Sequence, residues 1–256
     1  MKLHKLSTKS DPKFNKTETE KETEKLKEKI FNQQNILFAE RKHSLLVILQ
    51  GSDASGKDGT VRHVFSLLNP MGVEVKAFKA PTEEEMEHDF LWRIHKEVPR
   101  KGMIQIFNRS HYEDILVPTV HKSVDKDLIK KRYERINGFE RDLSESGTII
   151  LKFFLHISKE EQNIRIKERL TDPKKLWKYD PADKQESHNW DAYMKVYEKI
   201  FEKCGPDQPW IIVPSDDKWY RNYVIAKVIY KTLKSLKMKY PKRNSAIFTG
   251  DKKKDA

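Results

Sequence analysis

Gly51-Ser52-Asp53-Ala54-Ser55-Gly56-Lys57-Asp58-Gly59 follows the aliphatic run Ser44–Gln50 and precedes a helical pattern over Thr60–Leu68. Strand, glycine loop and helix in that order form the context in which a Gly-x-x-x-x-Gly-Lys loop cradles phosphate. Gly51, Gly56 and Gly59 let backbone N–H groups converge on an anion, with Ser55 and Asp58 in the same loop. The helix N-terminus adds positive potential, and Lys57 supplies a point charge for bridging phosphate oxygens. Asp58 stands where such loops carry the Ser or Thr that ligates Mg²⁺. Metal ligation therefore has to come from elsewhere, and Asp53 is the candidate. A carboxylate about 4 Å from a bare phosphate would be repelled by about 1–4 kcal/mol, and a divalent cation between them reverses that sign. Otherwise Asp53 is a turn residue bonding its own backbone.

Working outward, further short apolar runs occur at Val73–Phe78, Met103–Phe107, Thr148–Ile157 and Trp210–Pro214, separated by longer amphipathic stretches. This alternation predicts an α/β fold, a parallel sheet flanked by helices. Ligands then sit outside the carboxyl ends of the strands. The distinctive polar clusters fall on those loops.

After Met103–Phe107 comes Asn108-Arg109-Ser110-His111-Tyr112-Glu113-Asp114. Arg109 could grip a phosphoryl group bidentately. Asn108, Glu113 or Asp114 could hold Mg²⁺ directly or through water, or the acids could simply open a helix. Lys79 ends the second strand, as a phosphate contact or a surface lysine. His88 and Asp89 follow, with Arg93 at i+4 from Asp89, the spacing of an exposed ion pair.

The densest basic stretch of the body is Arg165–Lys178, with Arg165, Lys167, Arg169, Lys174, Lys175 and Lys178. Arg165 and Arg169 share a helix face, and Pro173 ends that helix. After the fourth strand such a segment is placed to close over substrate phosphates and exclude water, with Arg169 on the phosphates. Trp177 and Trp190 either stack on a base or pack. Pro214–Asn222 caps the last strand and stays unassigned.

The formal charge of +12 raises a nucleic-acid reading. Residues 1–30 hold nine Lys against six acids, and 237–256 hold seven Lys/Arg against two, leaving only +4 for the body. Specific nucleic-acid binding is therefore not expected, and the non-enzyme rival is a polyanion or nucleic-acid binding module driven by the basic tails. Residues 1–22 lack apolar periodicity and read as a flexible polar segment, with a charged helix from about Glu20 to Glu40. Residues 23–244 read as the catalytic domain, with a lid at about 160–190, and 245–256 as a basic tail whose end, Gly250–Ala256, is expected to be disordered. The longest aliphatic run, Leu45–Leu49, is too short to span a bilayer. No signal-like apolar stretch opens the chain, and the lone cysteine, Cys204, fits a reducing cytoplasm.

With the glycine loop, Asn108–Asp114 and Arg169-x-x-Asp-Pro-x-x-x-Trp177-Lys178 in order, the chain resembles the family-2 polyphosphate kinases from about residue 20 to 240. The resemblance implies a thymidylate kinase-like fold with a helical lid, dependence on Mg²⁺ (or Mn²⁺), and reversible transfer between inorganic polyphosphate and nucleotides. By position, Asp53 and Lys57 fall on the family's catalytic loop pair, Arg109 and Arg169 on its phosphate-binding arginines. Lys79, Lys174 and Lys178 join the phosphate contacts, and Glu113 joins Asp53 as a metal ligand. Many relatives carry Asp at position 108 and Asn at 113. Asn108 with Glu113 resembles the subgroup accepting both mono- and diphosphates, which implies AMP and ADP as acceptors, GMP and GDP as further candidates, and a homo-oligomer (dimer or tetramer). The rival enzyme is an ATP-dependent nucleotide or nucleoside kinase.

Overall fold

The computed structural model describes residues 2–178 and 186–242. Five strands, β1 (Ser44–Gln50), β2 (Val73–Ala77), β3 (Ile104–Asn108), β4 (Thr148–His156) and β5 (Trp210–Pro214), form one parallel sheet in the order β2-β3-β1-β4-β5. Every residue of the central strand β1 is buried. Leu45-Leu46-Val47-Ile48-Leu49 has no polar side for solvent because both faces of the sheet are covered.

Period-two alternation assigns β1 to two cores. Leu46 and Ile48 pack with α5 (Glu113–His121), α6 (Lys126–Glu145) and α8 (Trp190–Lys203), through Ile115, Ile136, Phe139, Tyr197 and Phe201. Leu45, Val47 and Leu49 pack with α1 (Lys16–Glu40), α2 (Lys57–Val64) and α9 (Lys218–Ser235), through Ile30, Leu37, Val64, Ile225 and Leu233. The parallel register sets Leu49 beside both Asn108 and Phe153, and His156 beside Pro214. The carboxyl ends, and the loops that follow, therefore share one edge. Two short helices, α3 (Glu83–Met86) and α4 (Trp92–His95), connect β2 to β3, and α7 (Lys159–Thr171) follows β4. Among the described residues no helix is long and apolar enough to cross a membrane.

The segment expected to be flexible over 1–22 is instead tied down across its described part. Leu3 is buried, and its N–H donates to Glu198. Thr8 Oγ1 and Ser10 N donate to the Asp216 and Asp217 carboxylates, and Phe14 sits against the rings of Tyr220 and Tyr223. These anchors lie about 200 residues away in sequence and leave no local periodicity to read. Asn15 starts α1 at Lys16, earlier than expected, by capping Glu18 N. The helix after the glycine loop also begins earlier than its apolar pattern, at Lys57, and ends at Val64.

Candidate active site

The phosphate loop bends where glycine is required. A Cβ on Gly51 would lie 2.8 Å from Leu155 O, and one on Gly56 (φ 101°) would lie 1.9 Å from Arg221 Nη1. Gly56 then opens α2 with no side-chain cap, so the first N–H groups of that helix keep their capacity for an anion. Below the loop, Gln162 Nε2 donates to Asp53 O (3.0 Å), and Arg165 Nη1 to Ala54 O (3.0 Å) and Ser55 O (3.2 Å). Lys57 is buried with Nζ on Gly51 O (2.8 Å) and Ser52 O (3.1 Å), and burial together with the neighbouring Arg109 cation brings its pKa down to about 8.

Arg109 leaves β3 with a left-handed backbone (φ 63°), its N–H on Leu49 O. That turn sends the guanidinium across to the loop, where Nη2 donates to Asp53 Oδ1 at 2.6 Å. Burial would raise the Asp53 carboxyl, but the Lys57 and Arg109 cations outweigh it and hold the pKa below the usual carboxylate range. Glu113, the first residue of α5, goes the other way because its burial dominates. Asn108 Nδ2 donates to Asp58 Oδ1 at 2.8 Å, tying the end of β3 to the start of α2.

Two clefts meet at this junction, and both are lined by Asp53 and Arg109. The larger, about 800 Å³, is cationic, with nine Lys/Arg against four acids, among them Lys57, Arg62, Lys79, Arg169, Lys174 and Lys218. The smaller, about 300 Å³, is walled by Leu116, Val117, Trp190, Tyr193 and Tyr197, with Glu113, His121 and Glu186 as polar groups. At its rim Glu186 accepts from Tyr193 Oη and pairs with His121 Nε2 at 3.0 Å.

The expected site residues divide accordingly. Gly51, Asp53, Arg109 and Glu113 line the smaller cleft. Gly56, Lys57, Asp58, Gly59, Lys79, Asn108, Arg169 and Lys174 line the larger, together with Asp53 and Arg109. Lys178 ends the turn Leu176–Lys178, and its side chain lies outside the described residues, as do residues 179–185 of the expected lid and the 245–256 tail. Ser55 does not face either cleft. It is fully buried under the loop, with Oγ turned inward against Gly51.

Asp114 lines neither cleft, and Arg93 Nη2 pairs with it at 3.0 Å. Arg93 is thereby a buried partner of Asp114 and Glu85, not the exposed partner of Asp89, whose carboxylate caps Leu91 N. His111 and Tyr112 point into the core, onto Glu140. Residues that sequence spacing did not single out are Gln162, Tyr193, Tyr197 and, from the unassigned segment after β5, Arg221. Each reaches the site from a distant element, so no local motif marks it.

A parallel sheet in this order, with a glycine-lysine loop after its central strand and cations around it, defines a phosphotransferase of the P-loop kinase class. The family model described as Polyphosphate kinase 2 matches residues 13–243. This chain belongs to the polyphosphate kinase 2 family and is a kinase. It is 48% identical over 214 residues (83% of this chain, 80% of the relative) to an AMP/ADP-polyphosphate phosphotransferase of Meiothermus ruber. It is 41% identical over 258 residues (95% and 89%) to an ADP-polyphosphate phosphotransferase of Rhodopseudomonas palustris. The crystal structure of polyphosphate kinase 2 from Arthrobacter aurescens TC1 superposes with a TM-score of 0.92 at 39% identity, covering 98% of this chain and 93% of that one.

Proposed function

We propose that this protein moves the terminal phosphoryl group of inorganic polyphosphate onto AMP and ADP, reversibly, giving ADP and ATP. The supporting observation is the pair of unlike clefts that share Asp53 and Arg109. A polyanion and a nucleoside need different walls. The cationic cleft suits a chain of phosphates, through Lys57, Arg109, Arg169 and neighbouring lysines. The smaller cleft offers apolar and aromatic walls for a nucleoside, at a volume near the lower end for ligand pockets. The names of the relatives, covering AMP, ADP and polyphosphate, support the same assignment.

An acceptor phosphate arriving in the smaller cleft meets two carboxylates, Asp53 and Glu113. Among the described residues no three His, Cys, Asp or Glu side chains form a metal cage. Mg²⁺ does not need one, since it is held by one or two carboxylates plus substrate phosphates and water. Asp53 and Glu113 fit that requirement for Mg²⁺ or Mn²⁺, which when bound would neutralise charge between donor and acceptor. Arg109, held in place by Asp53, presents its remaining donors to the transferring group. A general base is unnecessary, because a phosphate with a second pKa of about 6 is already largely ionised at pH 7. Residues 160–178 of α7 and the turn after it act as the described part of a lid that excludes water.

A cytoplasmic location, a homo-oligomeric state and use of GMP and GDP belong to the same proposal. Light scattering reads the oligomer directly. The deciding assay mixes the protein with Mg²⁺, long-chain polyphosphate and AMP, ADP, GMP or GDP, without ATP. Formation of the next phosphate ester is expected. Activity that appears only when ATP is the donor would replace this proposal with an ATP-dependent nucleotide kinase.

A further inference from the structure

Arg221, on the first turn of α9, lies directly beneath the phosphate loop and is 2% exposed. Its Nη1 faces Gly56 and reaches Ser55 O at 3.5 Å, and its Nη2 lies 3.4 Å from where a Cβ on Gly59 would stand. Its other partner is neutral, since Nε and Nη2 both donate to Asn222 Oδ1. Among the described residues no carboxylate lies within ion-pair distance of it, whereas the adjacent Arg165 has Glu161 at 2.7 Å. A buried guanidinium without a counter-ion is costly. Here burial and the Arg165 cation bring its pKa down to about 10.

The same pair of arginines, with Gln162, collects the carbonyls of Asp53, Ala54 and Ser55 on the underside of the loop. In a trans peptide the N–H points opposite to the C=O. The carbonyls of Asp53 and Ser55 are thus held by these side chains, and the N–H groups of Ala54 and Gly56 point away from them.

We propose that Arg221 is a positioning residue for phosphoryl transfer, a stored positive charge under the loop whose missing counter-ion is the phosphate bound above it. Resting on the reading of this loop as a phosphate site, the assignment separates charge from packing. A residue that only packs stabilises the free protein. A stored charge destabilises the free protein and stabilises the anion complex.

The test compares wild type, Arg221→Met and Arg221→Lys by thermal melting with and without tripolyphosphate, and by polyphosphate KM and kcat with ADP. In wild type, tripolyphosphate should raise the melting temperature. Arg221→Met should melt at or above the wild-type temperature when free, lose roughly half or more of the anion-induced rise, and show a polyphosphate KM raised about tenfold with kcat changed less than about threefold. Arg221→Lys, which keeps the charge, should retain most of the rise. If Arg221→Met melts lower when free yet keeps the full rise and the wild-type KM, Arg221 is only packing and the proposal falls. If wild type itself shows neither anion stabilisation nor turnover, the phosphate-loop reading fails, and this assignment fails with it.

Discussion

Arg109 Nη2 and Asp53 Oδ1 stand 2.6 Å apart, joining the end of β3 to the loop after β1 at the point where the two clefts meet. Each is partly exposed and has work besides the other, so the pair orients two functional groups more than it stabilises the fold. Asp53→Asn keeps the shape and a hydrogen bond but removes the charge. It is expected to lower kcat by about 100-fold or more while leaving nucleotide KM within about threefold. Steady-state kinetics with ADP and polyphosphate read both, and equal losses in the two would contradict the role given to Asp53. Arg109→Lys should be nearly as damaging, since a point charge cannot hold Asp53 and a phosphoryl group together.

Gly56 is required twice, by its backbone (φ 101°) and by Arg221 Nη1, which lies 1.9 Å from where a Cβ would stand. Gly56→Ala should cost about 1–2 kcal/mol from the left-handed backbone alone, and it should also displace Arg221 and lower activity at least about tenfold. Gly138, in the interior of α6 with nothing within 4 Å, is the control. Gly138→Ala should stabilise by about 0.5–1 kcal/mol with activity unchanged. Paired melting curves and assays check the contrast.

The amino-terminal strap feeds the same underside. Thr8 Oγ1 holds Asp216 Oδ2, Asp216 Oδ1 accepts from Ser158 N, and the Ser215 and Asp216 carbonyls accept from Arg165 Nη2. Arg165 in turn holds the loop carbonyls. Removing residues 2–14 exposes the pocket of Leu3, a loss of about 1.5–3 kcal/mol for that side chain alone. The melting temperature should fall by several degrees, and polyphosphate KM should rise. A truncated protein with wild-type KM would show that the strap supports stability alone.

How much of this was legible in the sequence depended on distance along the chain. β1 falls on its apolar run because a doubly covered strand has no polar side to blur its ends, and the partly buried edge strand β5 also coincides with its run. The loop was legible because its requirements are local, two glycines and a lysine at fixed spacing. The polar cluster after β3 was legible as a cluster but not by role. Arg109 and Glu113 face the clefts, while His111, Tyr112 and Asp114 turn to Glu140 and Arg93, partners 29, 28 and 21 residues away. Asn108 on Asp58 spans 50 residues, and Arg221 on Ser55 spans 166. Such pairings exist only once the sheet sets the elements side by side.

The turned-in residues form a fourth testable feature. Lys152 on β4 is fully buried, with Nζ on Glu140 Oε2 (2.6 Å), Cys204 O (2.6 Å) and Tyr112 Oη (2.9 Å). Glu140 also accepts from Tyr112 Oη and faces His111 Nε2. Burial would raise the Glu140 carboxyl, but the His111 and Lys152 contacts prevail and hold its pKa below the usual value of 4.5. A carboxylate held below its unfolded pKa contributes stability that is fully present above that unfolded value and is lost as pH falls through the folded one. Glu140→Gln leaves Lys152 buried beside a neutral amide and should cost about 3–5 kcal/mol at pH 7. Denaturant unfolding from pH 7 downward should show the gap between wild type and Glu140→Gln shrinking once the pH drops below about 4. A gap that stays constant to pH 3 would mean that the carboxylate's charge does not support the fold. Replacing the pair together, as Glu140→Gln with Lys152→Met, should cost less than the sum of the single changes, because neither charge is then left without the other.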